Sequence, residues 1–141
     1  MDKNFAVRIL NNQNAVQKIL RCNNISSEYG LTLSPSQAEN LIKDRVDALK
    51  ETSRIEFNGI ILEKLIARFS DSPYIYQDNY EEILSELQSC FYHLKNESRD
   101  TVSDDELIDC MKHIFNDDAN GSVDYLYDII SDKLQKRLNR R

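Results

Sequence analysis

The chain has 141 residues, a formal net charge of −6 and only 3 Gly and 2 Pro. That length suits one domain that buries a core without disulfides or metal, and 40% apolar with 30% charged residues excludes a disordered chain and favours helices over a sandwich or barrel. No window approaches the ~18 apolar residues of a membrane span and the opening MDKNFAVRILNNQN has no signal-like apolar run, so a cytoplasmic protein with no membrane partner is expected.

Along the chain, the first 21 residues are mixed: Phe5, Val7 and Ile9 alternate like a strand, while Ala15, Val16, Ile19 and Leu20 follow helical spacing. Leu31-Thr32-Leu33 and Ile55-Glu56-Phe57 can each add a short extended piece. Ser34-Pro35-Ser36-Gln37 supplies an N-cap, a proline at the first helical position and a capping-box glutamine, and predicts a helix over about 35–51 that buries Ala38, Leu41, Ile42, Val46 and Leu49. Next come Ile60, Ile61, Leu62, Leu65, Ile66, Ala67 and Phe69, an apolar arc so wide that this helix is expected to be the central one. Tyr80, Ile83, Leu84, Leu87, Cys90, Phe91 and Leu94 step by three and four, predicting a helix over about 79–96. Ser103-Asp104-Asp105-Glu106 reads as a second capping box, opening a helix that buries Leu107, Ile108, Met111, Ile114 and Phe115. Val123, Leu126, Tyr127, Ile130, Leu134 and Leu138 define a last helix. The fold expected is an all-α, single-domain bundle of five or six helices over residues 1–141, with a minimal β-hairpin left open.

Charge is unevenly spread. Residues 71–132 hold 16 Asp/Glu against 3 Lys/Arg, a local net of −13, whereas KLQKRLNRR at 133–141 holds 5 Lys/Arg and no acid. An acidic body repels phosphate backbones, and the basic residues at the end of a helix complement its dipole, so no nucleic-acid partner is expected.

The stretch FNDDANGSVDYLYD, 115–128, resembles an EF-hand calcium loop. With Gly121 as the loop's sixth position, Asn116, Asp118, Asn120, Ser122, Asp124 and Tyr127 occupy the ligand positions over 116–127. Tyrosine stands where a bidentate carboxylate must close the cage, and an amide where an aspartate is usual. A plain helix-turn-helix explains the same residues, with Asn120-Gly121 turning left-handed and Ser122 capping the next helix. Cys90 with His93, and Cys110 with His113, form two C-x-x-H pairs whose four side chains would enclose zinc if their helices faced each other. The competing reading makes Cys90 a small buried hydrophobe. Thiols within helix bodies and among acids lack the lowered pKa of a nucleophile, and no phosphate loop or hydrolase motif is present. The sequence therefore assigns no catalytic, cofactor-binding or metal-ligating residue, and no cofactor is expected. The 3 cysteines, an odd number, fit a reducing compartment.

The segments YGLTLSPSQAENLIKDR, FSDSPYIYQDNY and FYHLKNES followed by VSDDELIDCMKHIF resemble a family of small proteins of unknown function from Gram-positive anaerobic bacteria. The resemblance spans most of the chain and implies a bacterial cytosolic protein, with no catalytic or binding residues to carry over. By elimination the chain reads as a non-enzymatic interaction protein, binding another protein or itself. Metal binding through the loop at 116–127 or through Cys90, His93, Cys110 and His113 is the alternative, and an enzyme with a site assembled from distant residues the second. Tyr74 and Tyr76, after Pro73, are the candidate anchors for a partner.

Overall fold

The computed structural model describes residues 13–56 and 60–139, and among these the chain is helical with no strand. Helix α1 runs over 13–21, and a single turn, α2 (Asn23–Ser26), and a 3-10 turn at Ser27–Tyr29 follow it directly. The longer helices are α3 (Pro35–Glu51), α4 (Ile61–Phe69), α5 (Tyr80–Glu97), α6 (Asp104–Asp117) and α7 (Val123–Asn139). With α1 these make six helices of two turns or more, the all-α bundle that the apolar spacing predicts.

Helix starts follow from their caps. Ser34 Oγ accepts from the Gln37 N–H at 3.1 Å while the Gln37 side chain accepts from the Ser34 N–H at 2.9 Å. Two of the orphan donors at the start of α3 are thereby satisfied. At α6 only half of the expected box forms: Ser103 Oγ accepts from the Glu106 N–H at 3.2 Å, but the Glu106 side chain stays exposed to solvent. The three acids Asp104, Asp105 and Glu106 still favour that N-terminus through the helix dipole.

One core joins all these helices, from Ala15 and Ile19 in α1 to Ile130 and Leu134 in α7. Its centre is α5, which packs against α3, α4, α6 and α7. This corrects the expectation that α4 is central. Ile61, Leu62, Leu65, Ile66 and Phe69 of α4 are buried as expected, but Lys64, Ala67 and Arg68 face solvent. In α5 the seven apolar positions are buried, and so are Gln88, Tyr92 and Lys95, which periodicity assigns to the wet face. Partners outside the helix make that burial tolerable, although the Gln88 Oε1 has none. Gln88 Nε2 donates to the Leu41 carbonyl at 3.2 Å, the Tyr92 hydroxyl to Glu56 at 2.7 Å, and the Lys95 ammonium to the Val102 carbonyl at 2.6 Å.

The hairpin left open by the sequence does not form among the described residues; Phe5, Val7, Ile9 and Phe57 lie outside them. Leu31 and Leu33 are buried, as a strand's inward positions would be. Side-chain amides, however, take the place of a neighbouring strand. Asn23 bonds both the N–H and the carbonyl of Leu33, at 2.8 and 2.9 Å, and Gln77 does the same for Thr32, at 2.8 Å each. With both backbone groups of each residue satisfied in this way, the segment gains nothing from a ladder.

Alternate helices run in opposite directions, so α3, α5 and α7 begin at the end of the bundle where α4 and α6 finish. The cross-links at this near end are Gln77 to Thr32, Ser72 Oγ to Asn116 Oδ1 at 2.7 Å, and the Tyr74 hydroxyl to Asn120 Oδ1 at 3.1 Å. The far end carries the segment after α3, the α5–α6 turn and the last turns of α7.

Candidate functional site

The loop at 116–127 is a turn built for packing. Asn120 and Gly121 are both left-handed, with φ of 50° and 87°, and Ser122 Oγ accepts from the Tyr125 N–H at 3.1 Å to cap α7. A Cβ on Gly121 would stand 2.6 Å from the Tyr74 Cβ, so the loop before α5 lies directly on this glycine. The oxygens that a calcium loop would direct inward are engaged outward instead: Asn116 accepts from Ser72, and Asn120 from Tyr74. Tyr127 turns toward α5, where burial first, then Glu97, pushes its phenol up to about 12.

The two C-x-x-H pairs do not converge. Cys90 and His93 line a depression of 370 Å³ between α5 and α7, together with Glu86, Ser89, Val123, Asp124 and Tyr127. Cys110 is exposed on α6, near Lys133. His93 faces Glu51 of α3 at 3.5 Å, and His113 pairs with Asp117 one turn along its own helix at 3.0 Å. Among the described residues no three His, Cys, Asp or Glu side chains gather as a metal site would require. Burial pushes the Cys90 thiol up to about 12, with Glu97 and Asp124 adding to the effect, and holds Cys22 at about 11. Such thiols stay protonated and unreactive at neutral pH.

One buried hydroxyl, one three-residue polar cluster and one wide groove complete the interior chemistry. The Tyr80 hydroxyl lies beside Ser26 and Ser70, yet those serines donate to the Leu31 and Ile66 carbonyls, and Tyr80 makes no hydrogen bond of ordinary geometry. Arg45 and Tyr92 both bind Glu56, at 2.7 Å each, a cluster whose members stand 11 and 36 residues from Glu56 and which spacing cannot reveal. The groove between α1 and α3, about 870 Å³, is walled by Val16, Leu20, Ile42 and Val46 beside Glu39, Lys43 and Asp47.

The exposed apolar side chains are more informative. Among the described residues these are Ile25, Tyr29, Ile55, Tyr76 and Tyr125. Four of the five lie at the near end: Ile25 and Tyr29 precede the Leu31–Leu33 segment, Tyr76 adjoins Gln77, and Tyr125 sits in the first turn of α7. The three tyrosines are 53%, 60% and 54% exposed. At the same end Asp78, Glu82, Asp117, Asp118 and Asp124 are exposed as well. Tyr74, one of the two expected anchors, belongs to the fold instead. Its ring meets Phe115 edge-on at 6.3 Å, its Cβ rests on Gly121 and its hydroxyl is bonded. Tyr29 and Tyr125 escaped the sequence reading, although each has a signal: Tyr29 precedes the left-handed Gly30, and Tyr125 lies off the apolar stripe of α7.

An all-α bundle that shows aromatic rings at one end defines an architecture without a chemistry. The chain belongs to a family of unknown function, DUF6323, which matches it over residues 18–141. This agrees with the expected membership of an uncharacterised family. No curated protein and no solved structure matches the chain. No helix among the described residues is long and apolar enough to cross a membrane.

Proposed function

We propose that this protein is a non-enzymatic, cytosolic interaction module, one domain over residues 1–141, whose near end binds a basic segment of a protein partner. One observation carries the reading: four of the five exposed large apolar side chains of the described residues lie at the same end of the bundle, where Asp78, Glu82, Asp117, Asp118 and Asp124 are exposed. Scattered surface apolar groups need no explanation, but a cluster does. Tyrosine suits such a surface, since it offers a large rigid ring with little rotamer entropy to lose and a hydroxyl that tolerates water when unbound. The acids set the sign of the partner. They speed encounter with cations and repel nucleic acid, and the rings supply the contact that holds a lysine or arginine once it arrives.

The test is a nuclear magnetic resonance titration of the labelled protein with a Lys/Arg-rich peptide. Amide shifts should concentrate at Tyr29, Tyr76 and Tyr125 and spare Ile55 at the far end, and a Glu-rich peptide of equal length should cause none. Shifts spread evenly over the bundle, or none with the basic peptide, would remove the reading.

A further inference from the structure

The chain itself carries a segment of the chemistry that the near end selects. We propose that the basic segment is the last two turns of α7 on a second copy of this protein, so that copies associate head to tail. This rests on the interaction reading above and names its partner.

Lys133, Lys136 and Arg137 are exposed on α7 and are followed in the sequence by Arg140 and Arg141. The same molecule's near end is out of their reach. α7 starts at that end, at the Ser122 cap, whereas Ser131 Oγ already donates to Glu97, the last residue of α5, at 2.7 Å. A helix rises roughly 1.5 Å per residue, so α7 holds Lys133, Lys136 and Arg137 roughly 12–18 Å along its axis from Tyr125. Contact between the two surfaces must therefore join different copies.

Helix dipoles explain part of this charge pattern and leave the rest. Acids at the starts of α5 and α7 and cations at the end of α7 are placed as the dipole favours. Asp117 and Asp118 are not. They stand at the C-terminal end of α6, whose last turn holds no basic residue, and only His113 pairs with Asp117. Their placement raises the local negative potential against the preference of their own helix. A cationic partner resolves that cost, and the exposed Tyr76 and Tyr125 rings at the same end offer faces to a guanidinium or ammonium. Because the two contacting surfaces differ, each copy keeps one free acidic end and one free basic end. Association is then heterologous and open to growth, in contrast to a closed two-fold dimer.

Sedimentation velocity over micromolar to millimolar protein tests this with two variants. The acidic-end variant is Tyr29→Ala with Tyr76→Ala and Tyr125→Ala; the basic-end variant is Lys133→Gln with Lys136→Gln and Arg137→Gln. All six side chains are exposed, and circular dichroism melting verifies that both variants fold. The wild type should gain mass with concentration, and about 0.5 M salt should weaken this several-fold by screening. Each variant alone should remain monomeric. Their mixture should give a one-to-one dimer and nothing larger, because only one acidic end and one basic end can still meet. A wild type monomeric throughout overturns the proposal, as does a dimer that never grows, or either variant associating like the wild type. If the wild type is monomeric while the free basic peptide still binds, head-to-tail association falls and the interaction reading stands; if the peptide also fails, both fall.

Discussion

The two ends of the bundle are tied by different chemistry. At the near end the cross-links are mostly neutral amides and hydroxyls, Asn23 to Leu33, Gln77 to Thr32, Ser72 to Asn116 and Tyr74 to Asn120, with one ion pair, Lys112 to Asp71. At the far end they are largely ionic. Arg54 spans Asn96 and Asp100 at 2.8 Å each, Lys95 reaches Asp104 at 2.9 Å, and Arg45 holds Glu56 at 2.7 Å. Backbone strain differs in parallel. The left-handed residues at the near end are Gly30, Asn120 and Gly121, which adopt that conformation easily, whereas those at the far end are Ser53, Arg99 and Asp100. Two of the latter, Ser53 and Arg99, take the left-handed region against steric preference. Tertiary ties at the far end override local preference, while at the near end local preference and tertiary structure agree.

The largest way to break this contrast is at Lys95. Its ammonium is buried, and Lys95→Ala leaves the Val102 carbonyl and the Asp104 carboxylate without their shared partner. The loss should be about 3–5 kcal/mol in denaturant unfolding, from the packing of the buried lysine stem together with the carbonyl left unpaired. An effect under about 1 kcal/mol would mean that water replaces the ammonium and that the far-end tie matters little.

At the near end the critical residue is a glycine. Gly121→Ala forces a side chain into a left-handed residue and sets its Cβ 2.6 Å from that of Tyr74, which is fixed to backbone and cannot swing away. About 2–4 kcal/mol should be lost, from strain and overpacking together. Gly30→Ala is the control. Its φ is 77° but nothing stands within 4 Å of the added Cβ, so only the conformational part applies, about 1 kcal/mol. Equal losses at the two sites would show that the Tyr74 contact contributes nothing.

Asp100 provides a smaller effect with a sign. A hydrogen bond from Arg54 holds its carboxyl below the ordinary carboxylate value, helped by the charges of Arg54 and Lys95. A carboxylate lowered in the folded state adds stability above its unfolded pKa of about 4, and that stability is lost as pH falls through the folded value. Wild type should therefore lose stability between pH 5 and lower values more steeply than Asp100→Asn, whereas Gln77→Ala at the near end should shift stability equally at every pH. Raised salt should likewise weaken the far end more than the near end, where Lys112 pairs with Asp71. Parallel acid profiles for wild type and Asp100→Asn would remove the distinction.

The same contrast governs what the sequence discloses. The near-end turn at Asn120-Gly121, the Ser122 cap and the Ser34 box are local, and all are legible from neighbouring residues. So are the apolar stripes of α5, α6 and α7, because periodicity records which face is buried. The left-handed residues of the far end are neither Gly nor Asn, and nothing in Thr52-Ser53-Arg54 or Ser98-Arg99-Asp100 announces them. The central position of α5 was hidden for the same reason: Gln88 and Tyr92 look solvated until Leu41 and Glu56 are brought to them from elsewhere in the chain, and Lys95 until the following turn folds Val102 back onto it. Of the tyrosine surface only Tyr76 was legible, since grouping Tyr29, Tyr76 and Tyr125 requires knowing which helix ends coincide.

The smallest effect is also the one that separates strain from ties most directly. Arg99 is exposed, and its φ of 55° costs a side-chain-bearing residue about 1–2 kcal/mol that glycine escapes. Its N–H donates to the Asn96 carbonyl at 3.0 Å, a backbone bond that glycine keeps. Against this, glycine raises the entropy of the unfolded chain by about 0.5–1 kcal/mol. Arg99→Gly should therefore stabilise the protein by about 0.5 kcal/mol, the reverse of Gly30→Ala at the other end. The sign is the informative quantity, because a residue strained only by its neighbours relaxes when its Cβ is removed, while one that uses its side chain loses a contact. A destabilised Arg99→Gly would assign the Arg99 side chain to the far-end ties, and the backbone strain there would no longer stand apart from the charges that hold it.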